Sequence, residues 1–328
     1  MDEKLARGRA RELFRHLGKR TKQETDPATR INVKILETYM LRGGVEESRL
    51  KSFAQELEDD FKGVDQITVV SRAVRHPVKS KIIMEVTRPG CVEGREQSQM
   101  IARVNTYVFQ RNVLKLIETV HHVAVSQHAV FRLFERGNMK SDSIVGLLDS
   151  ITLWVPTLLF SLFGMNAPLT KPGTQIALPF AGGLLLGDIG INYLEGPKQG
   201  PSITDFRRGG SKLRRLRAPF EFDEDSFPTI GINTYVSRDE LFENQQEILR
   251  TLVAFAERYR IPMANMRSVC ALGYPDEEVT KLLGPPPFDQ ADFAALADLV
   301  DLIRRFFDTP EWKTHKEAFR GRLPRTIQ

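Results

Sequence analysis

The chain has 328 residues, with 47 Lys or Arg against 42 Asp or Glu and a formal net charge of +5. Hydrophobic residues at 41% and charged residues at 27% exclude a wholly disordered chain, a collagen and a disulfide-built scaffold. The two cysteines, Cys91 and Cys270, form no CxxC pair, which argues against a cysteine zinc site and predicts a reducing, cytoplasmic setting.

Residues 1–64 read as a helical region that opens with charge rather than with a secretory signal's apolar run. Leu5, Leu13 and Leu17 punctuate a basic first helix, which Gly18 is expected to end. Asp26-Pro27 has the pattern of an N-cap followed by Pro at N1. A second helix is expected behind it, carrying Ile31, Ile35, Leu36, Tyr39 and Met40 and stopped by Gly43-Gly44. A third is expected over residues 46–61, with Leu50, Phe53, Leu57 and Phe61 on one face.

The period then changes. Residues 66–77 and 79–90 are rich in β-branched side chains and predict a hairpin. Residues 97–110 are expected to be helical and 113–125 a strand. Ser126 is a good N-cap and Gly137 a good left-handed stop, which brackets a helix of about ten residues. A further helix follows, with Ser141 as its expected cap.

Two apolar stretches come next. Residues 151–165 contain Pro156 and fall short of the roughly 20 apolar residues of a spanning helix. Residues 176–191 are broken by Pro179, Gly182-Gly183 and Asp188. Both stretches are expected to be buried core, with a groove for a protein partner as the alternative; a membrane partner is not expected.

Residues 192–228 read as a polar connection. Within it Arg207, Arg208, Lys212, Arg214, Arg215 and Arg217 face a single acid, Asp205, and an acidic segment, 220–228, follows. Residues 228–237 read as a last strand, and the chain is helical from Arg238 onward, with a Pro-rich break at 284–288. The expected fold is α+β: an antiparallel sheet (66–90, 113–125, 176–191, 228–237) flanked by N-terminal and C-terminal helices. The expected organisation is a helical region over 1–64, a core over 65–237 with a long insertion at 154–228, and a second helical region over 238–328.

On the helix after Ser126, His128, Arg132 and Arg136 recur at i, i+4 and i+8 and share a face. Val130, Leu133 and Phe134 form an opposite, apolar face. Guanidinium forks match phosphate oxygens, and an imidazole exchanges protons near neutral pH. These are the parts of metal-free RNA cleavage: a base for the 2′-hydroxyl and cations for the charged intermediate. The structural alternative is that His128 bonds a loop carbonyl while the arginines pair with Glu135, Asp142 or Asp149.

The string Ser-Gln-His-Ala-x-x-Arg-x-x-x-Arg-Gly at 126–137 resembles the corresponding helix of BrnT-type toxins, within the RelE-like ribonucleases. That resemblance implies a metal-free toxin- or defence-type ribonuclease in which the helix precedes an antiparallel sheet. It also implies that a late strand adds polar residues to the site, and Asn233 and Tyr235, two apart on residues 231–237, are the candidates. The resemblance covers about twelve residues, and those toxins are much shorter than this chain.

Arg207, Arg208, Lys212, Arg214, Arg215 and Arg217 are the candidate phosphate-binding residues, with a solvated, acid-paired loop as the alternative. His121 and His122 point to opposite faces of a strand, so no metal site is expected from them. No cofactor is expected either: the glycines of residues 182–190 have neither P-loop nor dinucleotide spacing, and no GxSxG occurs. The expectation is a nucleic-acid-acting protein, either a ribonuclease or a non-catalytic scaffold that holds nucleic acid or a protein on the same basic face.

Overall fold

The computed structural model describes residues 1–22, 49–61, 68–74, 81–93, 98–110, 113–137, 144–164, 174–193, 202–207, 210–215, 226–260 and 290–310, with a few single residues besides. In chain order these form α1 (Glu3–Lys22), α2 (Leu50–Phe61), β1 (Thr68–Val74), β2 (Lys81–Glu93), β3 (Ser98–Gln110) and β4 (Val113–Ser126). Helices α3 (Gln127–Arg136) and α4 (Ile144–Gly164) follow. Then come β5 (Thr174–Phe180), β6 (Gly183–Tyr193), β7 (Ser202–Arg207), β8 (Gly210–Arg215) and β9 (Ser226–Val236). A 3₁₀ turn (Arg238–Glu240), α5 (Glu243–Arg258) and α6 (Gln290–Asp308) complete the described elements.

The strands make one sheet, ordered β1-β2-β3-β4-β9-β6-β5. At β4 the sheet forks. Leu114–Glu118 of β4 pairs antiparallel with β7, which carries β8, while Val123–Val125 pairs parallel with Ile230–Ile232 of β9. Every other pairing among the described strands is antiparallel. The fold is therefore α+β, as the strand and helix patterns predict, with one parallel contact at its centre.

A continuous apolar core gathers side chains from α1, β2–β6, α3, α4, β9, α5 and α6. Helix α1 buries Ala6, Ala10, Leu13, Phe14 and Leu17, and α3 buries Ala129, Val130, Phe131, Leu133 and Phe134. Fully burying a side chain the size of Leu or Phe contributes about 1.5–3 kcal/mol, so this packing outweighs local preferences. Trp154 of α4, 2% exposed, stacks at 6.0 Å on Phe255 of α5. Helix α2 lies elsewhere, with Phe53 edge-on to Phe109 at 5.5 Å. Residues 82–87 of β2 are all buried. Side chains alternate across a strand, so both faces of the sheet are covered there.

Several expectations need correction. Where a helix is expected over 97–110, Ser98–Gln110 form β3, paired with β2 on one side and β4 on the other. Ladder bonds on two edges outweigh the local helical preference of a Gln-rich start. Gly18 does not end α1, which runs to Lys22 because burial of Leu13, Phe14 and Leu17 holds it down. Residues 176–191 are two strands, joined by a two-residue turn in which Ala181 (φ 47°) and Gly182 (φ 76°) both adopt positive φ. The polar connection 192–228 contains the β7–β8 hairpin and the start of β9. Residues 154–228, expected as an insertion, thus supply four strands to the common sheet.

Of the apolar stretches, Ile151, Trp154, Leu158, Ile176–Leu178 and Leu184–Leu186 are buried core, which leaves none of these side chains for a partner. Among the described residues no helix is long and apolar enough to cross a membrane. Cys91 is a buried thiol. The expected helix over 28–42, the Ser141 cap and Cys270 lie outside the described residues.

Two glycines separate local from tertiary constraint. A Cβ at Gly18 meets nothing within 4 Å, so Gly18→Ala is expected to stabilise the protein by about 0.5–1 kcal/mol through helix propensity. A Cβ at Gly187 would run into the Gly231 carbonyl, so Gly187→Ala should cost about 2 kcal/mol or more. Thermal unfolding of both variants checks the opposite signs.

Candidate functional site

Parallel strands end at the same side of a sheet. The contact between β4 and β9 therefore brings α3, which follows β4, beside the 3₁₀ turn that follows β9. The β5–β6 turn joins them, because Leu184 pairs with Val236.

Ser126 fastens this end. Its Oγ accepts the Ala129 N–H at 3.1 Å, which caps α3, and donates to the Asn233 carbonyl at 3.1 Å. The C-terminus of α3 closes differently from expectation. Gly137 has φ −79°, outside the left-handed region, and its N–H bonds the Leu133 carbonyl at 2.9 Å. Glycine is needed there for room: a Cβ would sit 2.8 Å from the Leu133 oxygen and 3.4 Å from the Tyr235 ring.

His128, Arg132 and Arg136 do share one side of α3. Both guanidiniums are occupied. Arg132 meets Glu135 at 2.6 Å, and Arg136 meets the same Glu135 oxygen at 3.2 Å. Arg136 also spans to the 3₁₀ turn, touching the two Glu240 oxygens at 2.6 and 2.9 Å. Glu240 in turn accepts from the Ser237 N–H and hydroxyl, each at 3.0 Å. These pairs are only part-exposed, with Arg132 at 22%, Arg136 at 28% and Glu135 at 18%. The network ties α3 to the segment after β9.

His128 lies 5.8 Å from the Phe131 ring, over which Arg132 and Arg7 also sit at 5.0 and 5.1 Å. Arg7 itself pairs with Glu3 at 2.7 Å. Burial, and then the charges of Arg132, Arg136 and Arg7, push the imidazole below its usual range. It is held neutral near pH 7.

Asn233 and Tyr235 do not join this face together. Leu186 pairs with Thr234 while Gly187 pairs with Ile232, so Asn233 is an extra, unpaired residue on β9. Such a bulge shifts the alternation by one. Asn233 is consequently exposed, and Tyr235 is buried in the core at 1% exposure with its hydroxyl donating to the Ala181 carbonyl at 3.0 Å. Burial, with Glu240 and Asp239 nearby, pushes the Tyr235 phenol up. Tyr235 is a core anchor.

Asn233 instead hydrogen-bonds Asp188, whose Oδ1 would stand 3.2 Å from a Cβ on Gly231. Burial raises the Asp188 carboxyl above its usual range, and the Asn233 bond opposes that only in part. The sequence reading missed Asp188, Arg7 and Glu240. Only Glu240 left a local signal, the Ser-x-x-Glu capping pattern at 237–240.

The basic cluster of the β7–β8 hairpin is placed by its backbone. Arg207 ends β7 opposite Gly210, and Lys212, Arg214 and Arg215 pair with Asp205, Ile203 and Ser202. Arg208 and Arg217 fall outside the described residues. His121 and His122 lie within β4.

Compared with protein-family models, with curated proteins and with solved structures, the chain matches none.

His128 and Asp188 give opposite pH signatures. A histidine whose folded pKa is lowered disfavours protonation, so its contribution to stability is complete above about 6.5 and is lost as pH falls below that. His128→Gln should therefore flatten the loss of stability as pH falls below about 6.5. Asp188 has a raised folded pKa, so its ionisation weakens the fold as pH rises above about 4; Asp188→Asn should gain stability at pH 7 relative to pH 4. Urea unfolding across pH reads both. Ser126→Ala should cost about 1–2 kcal/mol at every pH, through the lost cap and the lost link to β9.

Proposed function

We propose that the protein is a non-catalytic scaffold that binds nucleic acid through phosphate contacts. The carrying observation is the occupancy of the α3 cations: Arg132 is committed to Glu135, and Arg136 to Glu135 and Glu240. A guanidinium that stabilises a phosphorane must be free to meet it. Freeing these two would strip the part-buried Glu135 carboxylate of both its guanidiniums, at a cost typical of broken charged hydrogen bonds. Asn233 is exposed while Tyr235 is buried with its hydroxyl bonded to the Ala181 carbonyl, so the two polar strand residues do not share one face. On this reading α3 is a clamp that fixes the end of the sheet.

The phosphate contacts are assigned to the β7–β8 hairpin. Among the described strands β8 pairs only with β7 and is the outer edge of that branch of the sheet. It carries Lys212, Arg214 and Arg215, with Arg207 across the turn and Arg208 and Arg217 adjacent in sequence. Cationic residues suit a free edge, because charge deters pairing with another strand while drawing a polyanion.

One observation favours the ribonuclease reading instead. The half-buried His128 is held neutral beside three guanidiniums, which is the protonation state of a general base. Under this reading the helix is a BrnT-like catalytic helix, and a substrate phosphate displaces Glu135.

Both readings are open to direct test. Replacing Arg214, Arg215 and Arg217 with Ala should reduce the slope of log affinity against log salt by about 2–3, at roughly 0.7–0.9 per lost phosphate contact. An unchanged slope removes the hairpin assignment. Incubation with RNA in EDTA should give no cleavage. Cleavage by the wild type that His128→Ala abolishes, with folding intact, would replace the scaffold by the ribonuclease.

A further inference from the structure

Helix α1 holds more positive charge than the whole protein's net. It has eight Lys or Arg and two Glu, eight less two or +6, against +5 for the chain. The remainder of the molecule is therefore close to neutral, and the excess sits on one helix.

That charge is arranged in a row. Lys4, Arg11, Arg15 and Lys19 recur at i, i+7, i+11 and i+15, which keeps them on one side of an α-helix. All four are exposed. The buried residues Ala6, Ala10, Leu13, Phe14 and Leu17 occupy the opposite side. Arg15 has one distant acid, Glu12 at 3.9 Å, with both side chains about 70% exposed. Among the described residues Lys4, Arg11 and Lys19 form no ion pair. This contrasts with α3, where each arginine is tied to a carboxylate. Near the middle of the row stands Gly8, where a Cβ would meet nothing within 4 Å, so the backbone itself is open to approach.

The packing decides what kind of partner such a helix fits. A basic amphipathic helix binds a bilayer, or a partner protein's groove, by giving up its apolar face. Here that face is already spent: its five apolar residues are 7% exposed or less, packed in the protein core. Only Leu5, at 51%, is a large exposed apolar side chain within the helix. What remains is a line of cations about 22 Å long, at 1.5 Å per residue. A duplex segment of that length carries on the order of a dozen phosphate charges. A linear array of cations without an apolar anchor is complementary to a linear array of phosphates.

We propose that the outward row of α1, Lys4, Arg11, Arg15 and Lys19, is a docking surface for the phosphate backbone of a nucleic acid. The proposal extends the nucleic-acid-binding reading to a second surface, on an element remote in sequence from the β7–β8 hairpin. Binding by α1 is sequence-independent and salt-sensitive, since each neutralised phosphate releases counterions.

The test uses the full chain with Arg11→Glu, Arg15→Glu and Lys19→Glu combined. Fluorescence anisotropy follows a labelled 20-base-pair duplex and a labelled 30-nucleotide RNA between about 50 and 200 mM salt. The expected result is an affinity loss of about tenfold or more at 100 mM salt and a salt slope lower by about 2–3. Circular dichroism should show an unchanged melting temperature, because the three positions are exposed. If the triple Glu variant fails to fold, the Gln variants of the same residues make the measurement, with a smaller affinity loss and the same fall in slope.

Parallel titrations use vesicles with and without anionic lipid. An unchanged slope and affinity for nucleic acid would overturn the proposal, as would wild-type protein that binds neither probe. Loss of binding to anionic vesicles with nucleic-acid binding intact would reassign the row to a lipid headgroup surface. The hairpin and α1 fail separately. Binding lost in the α1 variant but kept when Arg214, Arg215 and Arg217 are replaced refutes the hairpin and keeps the helix; the converse refutes the helix.

Discussion

Three residue pairs hold the centre of this molecule together. Val123, Ala124 and Val125 of β4 run parallel to Ile230, Gly231 and Ile232 of β9 across a gap of about a hundred residues in the chain. This contact divides the sheet into its two branches and sets α3 against the turn at Arg238–Glu240. Everything polar at that end depends on it. Ser126 can reach the Asn233 carbonyl, and Arg136 can reach Glu240, only because the two strands finish side by side. A parallel pair cannot be closed by a tight turn, so the intervening residues must leave the edge and return. They do so as α3, α4 and the strands β5–β8, with β6 coming back antiparallel to β9.

The glycines at that junction serve proximity more than conformational freedom. Gly187 packs against the Gly231 backbone where β9 bulges at Asn233. The bulge has a functional consequence, because it separates two residues that regular alternation would place on one face. Asn233 turns to Asp188, and Tyr235 turns into the core to hold the Ala181 carbonyl.

Charge is distributed in two distinct ways. On α3 it is neutralised locally, in a part-buried network where Arg132 pairs with Glu135 within the helix and Arg136 ties the helix to Glu240 of the 3₁₀ turn. Such pairs are sensitive to the loss of one member, since the partner is left desolvated. On α1 the outward row of Lys4, Arg11, Arg15 and Lys19 is exposed and aligned, which favours long-range attraction of polyanions over local stability. The same residue type, arginine, therefore has a structural role on one helix and is offered outward on the other. The difference lies in burial and in the presence of Glu135 and Glu240.

The sequence by itself determined the elements whose signals are local. The α3 helix is bracketed by a side-chain cap at Ser126 and a glycine at 137, and its apolar face, Val130, Leu133 and Phe134, is legible from period alone. The hairpin of β1 and β2, the strand β4, the last strand β9 and the burial of Ile151, Trp154, Leu158, Ile176–Leu178 and Leu184–Leu186 in the two apolar stretches follow from patterning in the same way. Glu135, one of the acids the sequence offers as partner of the α3 arginines, is three residues from one and adjacent to the other. What only the tertiary structure decided are the states set by distant neighbours. Residues 98–110 became a strand because ladders on both edges satisfied their backbone, which no local propensity records. Helix α1 ran through Gly18 because its apolar face had α3 to lie on. Arg7 reached Phe131, Glu240 reached Arg136, and Asp188 reached Asn233 across separations that leave no periodic trace. Periodicity encodes which face of an element is apolar; which elements meet, and whether a cation is thereby paired or left free, is decided by packing in three dimensions.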